Sequence, residues 1–279
     1  MPATLPPLYT HALFQQVAGA AWRPGGTALT RHGLALCALP AGARVLDVGC
    51  GAGASLEVLL QAGLHPVGFD IVCAVPPALR PYVVLARGEA LPCAAGWADA
   101  LLCECTLCLL GDIRAALQGF AHCLRVGGHV VLCDMFLLEG SPVHPAQPQP
   151  VLAAAQGQVA APVPTLIHKP ASAHDLEQEA LPKQAPARAP EPSAPRLSCL
   201  QGARRRHELE TLLAEAGLHL VEFEDHTASL RAMAAQLLWR GAEGAQLLQQ
   251  AGLGRQGCGT QGCAGRRYGY GLWHCIRAW

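Results

Sequence analysis

At 279 residues the chain can form one large α/β domain with an insertion, or two small domains, and 51% hydrophobic content is ample for a core. Twenty basic residues balance twenty acidic ones, which leaves no electrostatic footprint for nucleic acid or an anionic membrane and favours a small-molecule or protein substrate. No apolar run reaches the roughly 20 residues that span a bilayer, and the start MPATLPPLYTHALFQQ lacks the charged-then-apolar pattern of an export signal. Thirteen cysteines are many, but Cys50, Cys103 and Cys133 sit in apolar runs where a thiol behaves as a small hydrophobe. A cytoplasmic protein with mostly reduced thiols is expected.

In chain order, residues 9–21 and 27–38 read as two helices joined by a turn at Arg23-Pro24-Gly25-Gly26. A short apolar strand at 44–48 stops at a glycine cluster, and a helix at 55–62 ends at Gly63, a suitable C′ residue. Further strands are predicted at 66–70, 82–86 and 98–103, then a helix at 113–124, a turn at Gly127-Gly128 and a fifth strand at 129–134. Strands apolar throughout and alternating with helices indicate a parallel sheet covered on both faces. Residues 140–198 are rich in Pro, Ala and Gln, with few regularly spaced large apolar residues, and read as a flexible insertion. Beyond it the pattern predicts a helix at 204–216, a strand at 218–224, a helix N-capped by Thr227 and running to about Trp239, a short helix at 243–251 and a last strand at 268–278. The indoles of Trp239, Trp273 and Trp279 are expected to pack in this C-terminal region.

The segment Val45-Leu46-Asp47-Val48-Gly49-Cys50-Gly51-Ala52-Gly53 carries the strongest chemical signal. Closely spaced glycines after a strand let a ligand approach the backbone where a Cβ would collide. Alone, Gly49, Gly51 and Ala54 also fit the permissive dinucleotide spacing. Three further features arbitrate: Asp47 lies two residues before the first glycine, Asp70 closes the second strand, and Gly88-Glu89-Ala90-Leu91-Pro92 follows the third, with Asp99 opening the fourth.

Together these residues resemble the successive motifs of class I S-adenosylmethionine-dependent methyltransferases, especially the small-molecule group that includes the ubiquinone/menaquinone and arsenite enzymes. The turn Leu124-Arg125-Val126-Gly127-Gly128 is similar to that family's turn before strand five, with Val126 in place of the usual proline. The resemblance covers about residues 40–135. It implies a Rossmann-like, doubly wound, mostly parallel seven-stranded sheet with helices on both faces and a last strand inserted antiparallel. It divides the chain into an N-terminal helical lid (1–40), a cofactor-binding core (41–139), the insertion (140–198) and a C-terminal part completing the fold (199–279). It also implies S-adenosylmethionine as cofactor, held by Asp47, Gly49, Cys50, Gly51 and Gly53, by Asp70 at the ribose, by Glu89, Ala90 and Leu91 at the adenine, and by Ile71 and Glu104.

Methyl transfer from a sulfonium needs in-line placement, exclusion of water and sometimes a base. Glu104, after the fourth strand, is the candidate for substrate orientation or general-base work; its alternative is a partly exposed loop carboxylate. Tyr9, Arg23 and Thr30 on the lid are candidate acceptor contacts, Arg23 suiting an anionic acceptor through its planar fork; the alternative is a turn joining two helices. Cys103, Cys105 and Cys108, with Cys258 and Cys263 in a second loop, offer thiolates for a metal or metalloid. Strand alternation would put Cys103 and Cys105 on one face, and the spacing is not that of a paired structural zinc site, so packed thiols and no metal are expected. His32, His122, His129 and His274 form no ligand-spaced pair.

The expected activity is methyl transfer to a small-molecule acceptor, with no nucleic acid or membrane partner. The rivals are a thiol-rich metal-binding or regulatory protein on the same fold without turnover, and a nicotinamide-dependent oxidoreductase.

Overall fold

The computed structural model describes residues 7–140, 199–251 and 267–278. The predicted insertion, apart from Gly140, and the cysteines Cys258 and Cys263 lie outside the described residues, as does Trp279.

The N-terminal part, expected as a lid, comprises α1 (Pro7–Thr10), α2 (Ala12–Ala18), a 3₁₀ turn (Gly19–Ala21) and α3 (Gly26–Cys37). The single helix expected over 9–21 is therefore broken. His11 is extended (ψ 122°) and Gly19 takes φ 65°, ψ −159°, so neither continues helical backbone. The core follows with β1 (Arg44–Val48), α4 (Ala54–Gln61), β2 (His65–Asp70), β3 (Val83–Leu85), β4 (Ala98–Glu104), α5 (Ile113–Cys123) and β5 (Leu124–Leu137). The C-terminal part adds α6 (Cys199–Gly202), β6 (Arg204–Arg205), α7 (Arg206–Glu215), β7 (Leu218–Asp225), α8 (Thr227–Leu238), α9 (Ala242–Gln250) and β8 (Tyr268–Arg277).

One sheet runs β3-β2-β1-β4-β5-β8-β7, with β6 pairing parallel to the end of β5. Strands β1 to β5 are mutually parallel and β8 lies antiparallel between β5 and β7, as the resemblance implies. The sheet gains an eighth strand because Arg204–Arg205, expected as the start of a helix, pairs with Phe136 and Leu137; the helix begins at Arg206, two residues later than expected. Gly127-Gly128 lies inside β5 as an irregularity, not before it. Between the Ala98↔Leu124 and Ala100↔His129 pairs β5 takes up the extra residues, and a Cβ on Gly128 would meet the carbonyls of Arg125 and Asp99 at 2.8 and 3.1 Å.

Successive strand residues feed opposite faces. Val45, Ala100, Leu102, Val131 and Cys133 pack with Leu29 of α3, Leu59 of α4 and Leu230 of α8. Leu46, Val48, Leu101, Cys103, Val130 and Leu132 pack with Leu117 and Phe120 of α5 and with Leu209 and Leu213 of α7. Because both faces are covered, the central strands are apolar at most positions, with Asp47, Asp99, Glu104 and Asp134 among the exceptions, whereas the edge strand β7 is largely exposed and mixes polar residues in. Each fully buried leucine or phenylalanine there is worth about 1.5–3 kcal/mol. A third cluster joins the lid to the C-terminal helices, with Tyr9, Leu13 and Phe14 against Leu237, Leu247 and Leu248.

Three local expectations fail for physical reasons. Thr227 is the first residue of α8 and not its cap: its hydroxyl accepts from the Tyr270 amide, while Asp225 accepts from the Thr227 amide. Trp239 is 90% exposed just after α8, whereas Trp273 is fully buried in mid-strand. Cys103 and Cys105 fall in opposite layers, because Cys105 takes φ 52° just past β4 and breaks the strand alternation. No helix among the described residues is long and apolar enough to cross a membrane.

Candidate active site

The carboxyl ends of β1, β2 and β4 converge on the glycine loop. Gly49, Gly51 and Gly53 all adopt left-handed backbone, with φ of 80°, 51° and 87°, a region that costs a side-chain-bearing residue energy and glycine almost none. Gly49 is under the strongest constraint, since a Cβ there would lie 2.0 Å from Thr106 Oγ1; at Gly51 a Cβ would make only ordinary contact, with the Gly49 carbonyl and the Trp22 ring at 3.9 Å. Asp70 Oδ2 accepts from the Gly51 amide at 2.9 Å and Oδ1 from the Val72 amide at 3.1 Å, so the acid at the end of β2 orders the loop after β1. Beside it Ile71 is an exposed large apolar residue, at 42%. Cys50 is buried, its Sγ where a Cβ on Gly68 would fall.

Glu89 turns back toward the loop after β4, where Oε1 accepts from the Gly111 amide at 2.9 Å and pairs with Arg87 at 3.2 Å. Ala90 and Leu91 follow it as partly buried residues. Asp99 stands at the opposite end of β4, bonded to the Arg44 amide and the Arg125 guanidinium. It ties strand starts together and takes no part in this site.

The lid delivers a buried cation to the end of β4. Arg23 Nη2 lies 2.7 Å from Glu104 Oε2, with both side chains nearly excluded from solvent. Ser55 Oγ donates to Glu104 Oε2 at 2.7 Å and accepts from Arg23 at 3.0 Å. Thr30 accepts from Arg23 and donates to Glu104 Oε1 at 3.1 Å. Burial disfavours the guanidinium charge, but Glu104 and neighbouring acidic groups outweigh it and raise the Arg23 pKa. Arg23, Thr30 and Glu104, scattered over 82 positions of chain, thus form one network, and Ser55 is the member the motif reading missed. A serine at the second position of a helix carries no motif that would have flagged it.

Asp47 lies beneath this network, 2% exposed, and its Oδ2 is buried without a hydrogen-bond partner. Burial, reinforced by Glu104 and partly offset by Arg23, pushes its pKa up to about 8. Between the ordinary aspartate value and about 8 the folded protein keeps a proton that the unfolded chain has lost. Stability therefore falls as pH rises through that window. Asp134, pushed up to about 6 mainly by burial, acts with the same sign at lower pH. Comparing thermal melts of the wild type and Asp47→Asn between pH 6 and 8 isolates Asp47. The difference between them should change by about 1.4 kcal/mol per pH unit, and parallel curves would refute the buried proton.

Next to the network is an apolar cavity of about 40 Å³, lined by Leu8, Tyr9 and Phe14 of the lid, Trp22, Pro24, Cys105, Met135, Cys199, Leu200 and residues of α8 and α9. Tyr9 reaches Cys105 O at 3.5 Å, a long hydrogen bond. Cys105 and Cys108 are buried and burial raises both thiols well above their usual range. They are packed, neutral groups, as is Cys103 in the other layer.

A parallel sheet with one antiparallel insertion, a left-handed glycine loop after its first strand and acids at the ends of the next strands define the class I methyltransferase architecture. The chain matches the methyltransferase domain family over residues 22–223, more than two thirds of its length. It belongs to that family, and with it to the class I S-adenosylmethionine-dependent methyltransferases. No curated protein matched.

Solved structures share the fold at low identity. Phosphoethanolamine N-methyltransferase 2 of Haemonchus contortus, in complex with S-adenosyl-L-methionine, aligns at TM-score 0.63 and 11% identity over 96% of this chain and 56% of that one. Geranyl diphosphate C-methyltransferase of Streptomyces coelicolor, in complex with Mg²⁺, geranyl diphosphate and S-adenosyl-L-homocysteine, aligns at 0.56 and 13% over 90% and 79%. The cyclase SpnF aligns at 0.56 and 16% over 90% and 80%.

Proposed function

We propose that the protein methylates a small, apolar acceptor held between the lid and helices α8 and α9, using S-adenosylmethionine at the glycine loop. The observation that carries this reading is the meeting, at one end of the sheet, of a ligand-ready loop and an apolar cavity. The residues suit the cofactor. No described residue crowds the Gly51 backbone closer than ordinary contact, so a ligand can approach it, and the unpartnered Asp47 Oδ2 becomes an acceptor for an ammonium group once that carboxyl gives up its proton. Each Asp70 oxygen accepts one amide and has a second lone pair for a ribose hydroxyl. Exposed Ile71 offers an apolar face to the adenine, with Glu89, Ala90 and Leu91 at its edge.

Bound there, the cofactor supplies an electrophilic methyl group, so alignment and exclusion of water are what the protein must provide. Glu104, held by Arg23, Thr30 and Ser55, fastens the lid to the end of β4. It is a positioning residue, as are Arg23 and Thr30. Tyr9, Phe14 and Trp22 close the cavity from the lid side and keep it dry. Among the described residues no charged group lines the cavity, which favours an apolar acceptor over an anionic one, since an unpaired buried charge is costly.

Calorimetric titration with S-adenosylmethionine, S-adenosylhomocysteine and NAD tests the cofactor site. Asp70→Ala should weaken binding of the first two at least about tenfold, the loss of one to two hydrogen bonds to a charged group. Binding of NAD instead would overturn the assignment. Acceptors of graded polarity, followed by release of S-adenosylhomocysteine, test the cavity; turnover confined to charged acceptors would refute it.

A further inference from the structure

At the opposite end of the strands from the glycine loop, three residues distant in sequence meet under the last turn of α3. His129 on β5 and His274 on β8 are diagonal neighbours in the antiparallel register. Their rings stack with centroids 5.2 Å apart, and His129 Nδ1 lies 3.0 Å from His274 Nε2. Cys37, the final residue of α3, faces the pair, so that one ligand atom from each residue lies within 4.8 Å of the others.

We propose that Cys37, His129 and His274 form a Zn²⁺ site that anchors the C-terminal end of α3 to the sheet. Tetrahedral zinc takes nitrogen at about 2.0–2.1 Å and sulfur at about 2.3 Å, which places neighbouring ligand atoms a little over 3 Å apart. The nitrogens lie 3.0 Å apart, close to that separation, and the Cys37 sulfur lies within 4.8 Å of the imidazole ligand atoms. His274 and Cys37 are buried and His129 is half-buried, which leaves a route for the ion.

Burial lowers the basicity of both imidazoles, aided at His129 by His274 and Arg125 and opposed at His274 by Glu222. Glu222, across the strand pair, is the acid facing His274. Cys37 Sγ donates to the Gly33 carbonyl at 3.3 Å, and burial pushes the thiol up to about 12, so an ion's charge is needed to deprotonate it. On binding, the S–H bond breaks and its proton leaves to solvent. The sulfur pair bonds to zinc and each imidazole gives the lone pair of its facing nitrogen, its remaining proton moving to the other ring nitrogen. No electron is transferred. Thr30 and Cys37 share the buried face of α3, two turns apart, so the ion would hold the helix that carries part of the lid network.

The test uses full-length, metal-free protein titrated with Co²⁺ and then Zn²⁺. The expected result is a sulfur-to-cobalt charge-transfer band with tetrahedral visible bands at one equivalent, displaced by Zn²⁺, and a higher Tm with the ion. Cys37→Ser should abolish the charge-transfer band, and His129→Ala should weaken Co²⁺ at least about tenfold. If Cys37→Ser does not fold, His129→Gln, at a half-exposed position, reads the same band. The surface cluster of His32, Glu224 and His226 has no sulfur, so His226→Ala should leave the band intact. A band that survives Cys37→Ser, or cobalt bound without sulfur, overturns the proposal.

Discussion

Replacing Glu104 with glutamine is expected to destabilise the protein by about 3–5 kcal/mol, as when one partner of a buried ion pair is removed. Arg23 would keep its charge with only neutral partners, the hydroxyls of Thr30 and Ser55 and the Ala21 carbonyl. Deleting both charges, in Arg23→Met with Glu104→Gln, should recover most of the loss, because the cost lies in the unpaired cation and not in the pair's net worth. Urea unfolding of the two singles and the double closes the cycle. Equal, additive losses would mean that the two side chains do not interact. The variant also has a second signature: Glu104 is the main charge raising Asp47, so in Glu104→Gln the pH-dependent loss of stability should move below pH 8.

Gly49→Ala should be comparably severe. Left-handed backbone on a non-glycine residue costs about 1–3 kcal/mol, and overpacking a filled space about 1–3 kcal/mol more. Here the added methyl would collide with Thr106 at 2.0 Å, so a total of roughly 2–6 kcal/mol is expected, read from thermal melts. Thr106 cannot retreat freely, since its hydroxyl donates to the Glu104 carbonyl. Gly51→Ala, with no atom closer than 3.9 Å to the new Cβ, should carry only the backbone cost, and its larger effect should fall on cofactor affinity. If Gly51→Ala proved the less stable of the two, the packing argument would fail.

The alternation of strands and helices was legible because a strand covered on both faces must be apolar throughout, as Leu101, Leu102 and Cys103 are. The helix stop at Gly63 was legible as well, from a glycine in left-handed backbone at φ 70°. What escaped were features in which one residue answers to a distant one. Arg204–Arg205 became a strand because β5 extends to Leu137 and offers it a partner. Thr227 lost its capping role to the Tyr270 amide.

The candidate site divides along the same line. Asp47, the three glycines and Asp70 could be singled out in linear order, because a loop that opens its backbone to a ligand needs glycine and strand-end acids at short, regular spacing. Arg23, Thr30 and Glu104 could be named but not joined; burial in a common low-dielectric space pairs the cation with the acid. His129 and His274, 145 positions apart, meet only because β8 runs antiparallel beside β5. The chain alone therefore determined the α/β architecture and the loop at the end of β1, which depend on local backbone preference and burial period. Tertiary structure decided the charge network, the buried proton on Asp47, the apolar cavity and the imidazole pair, since each depends on groups whose proximity no local pattern encodes.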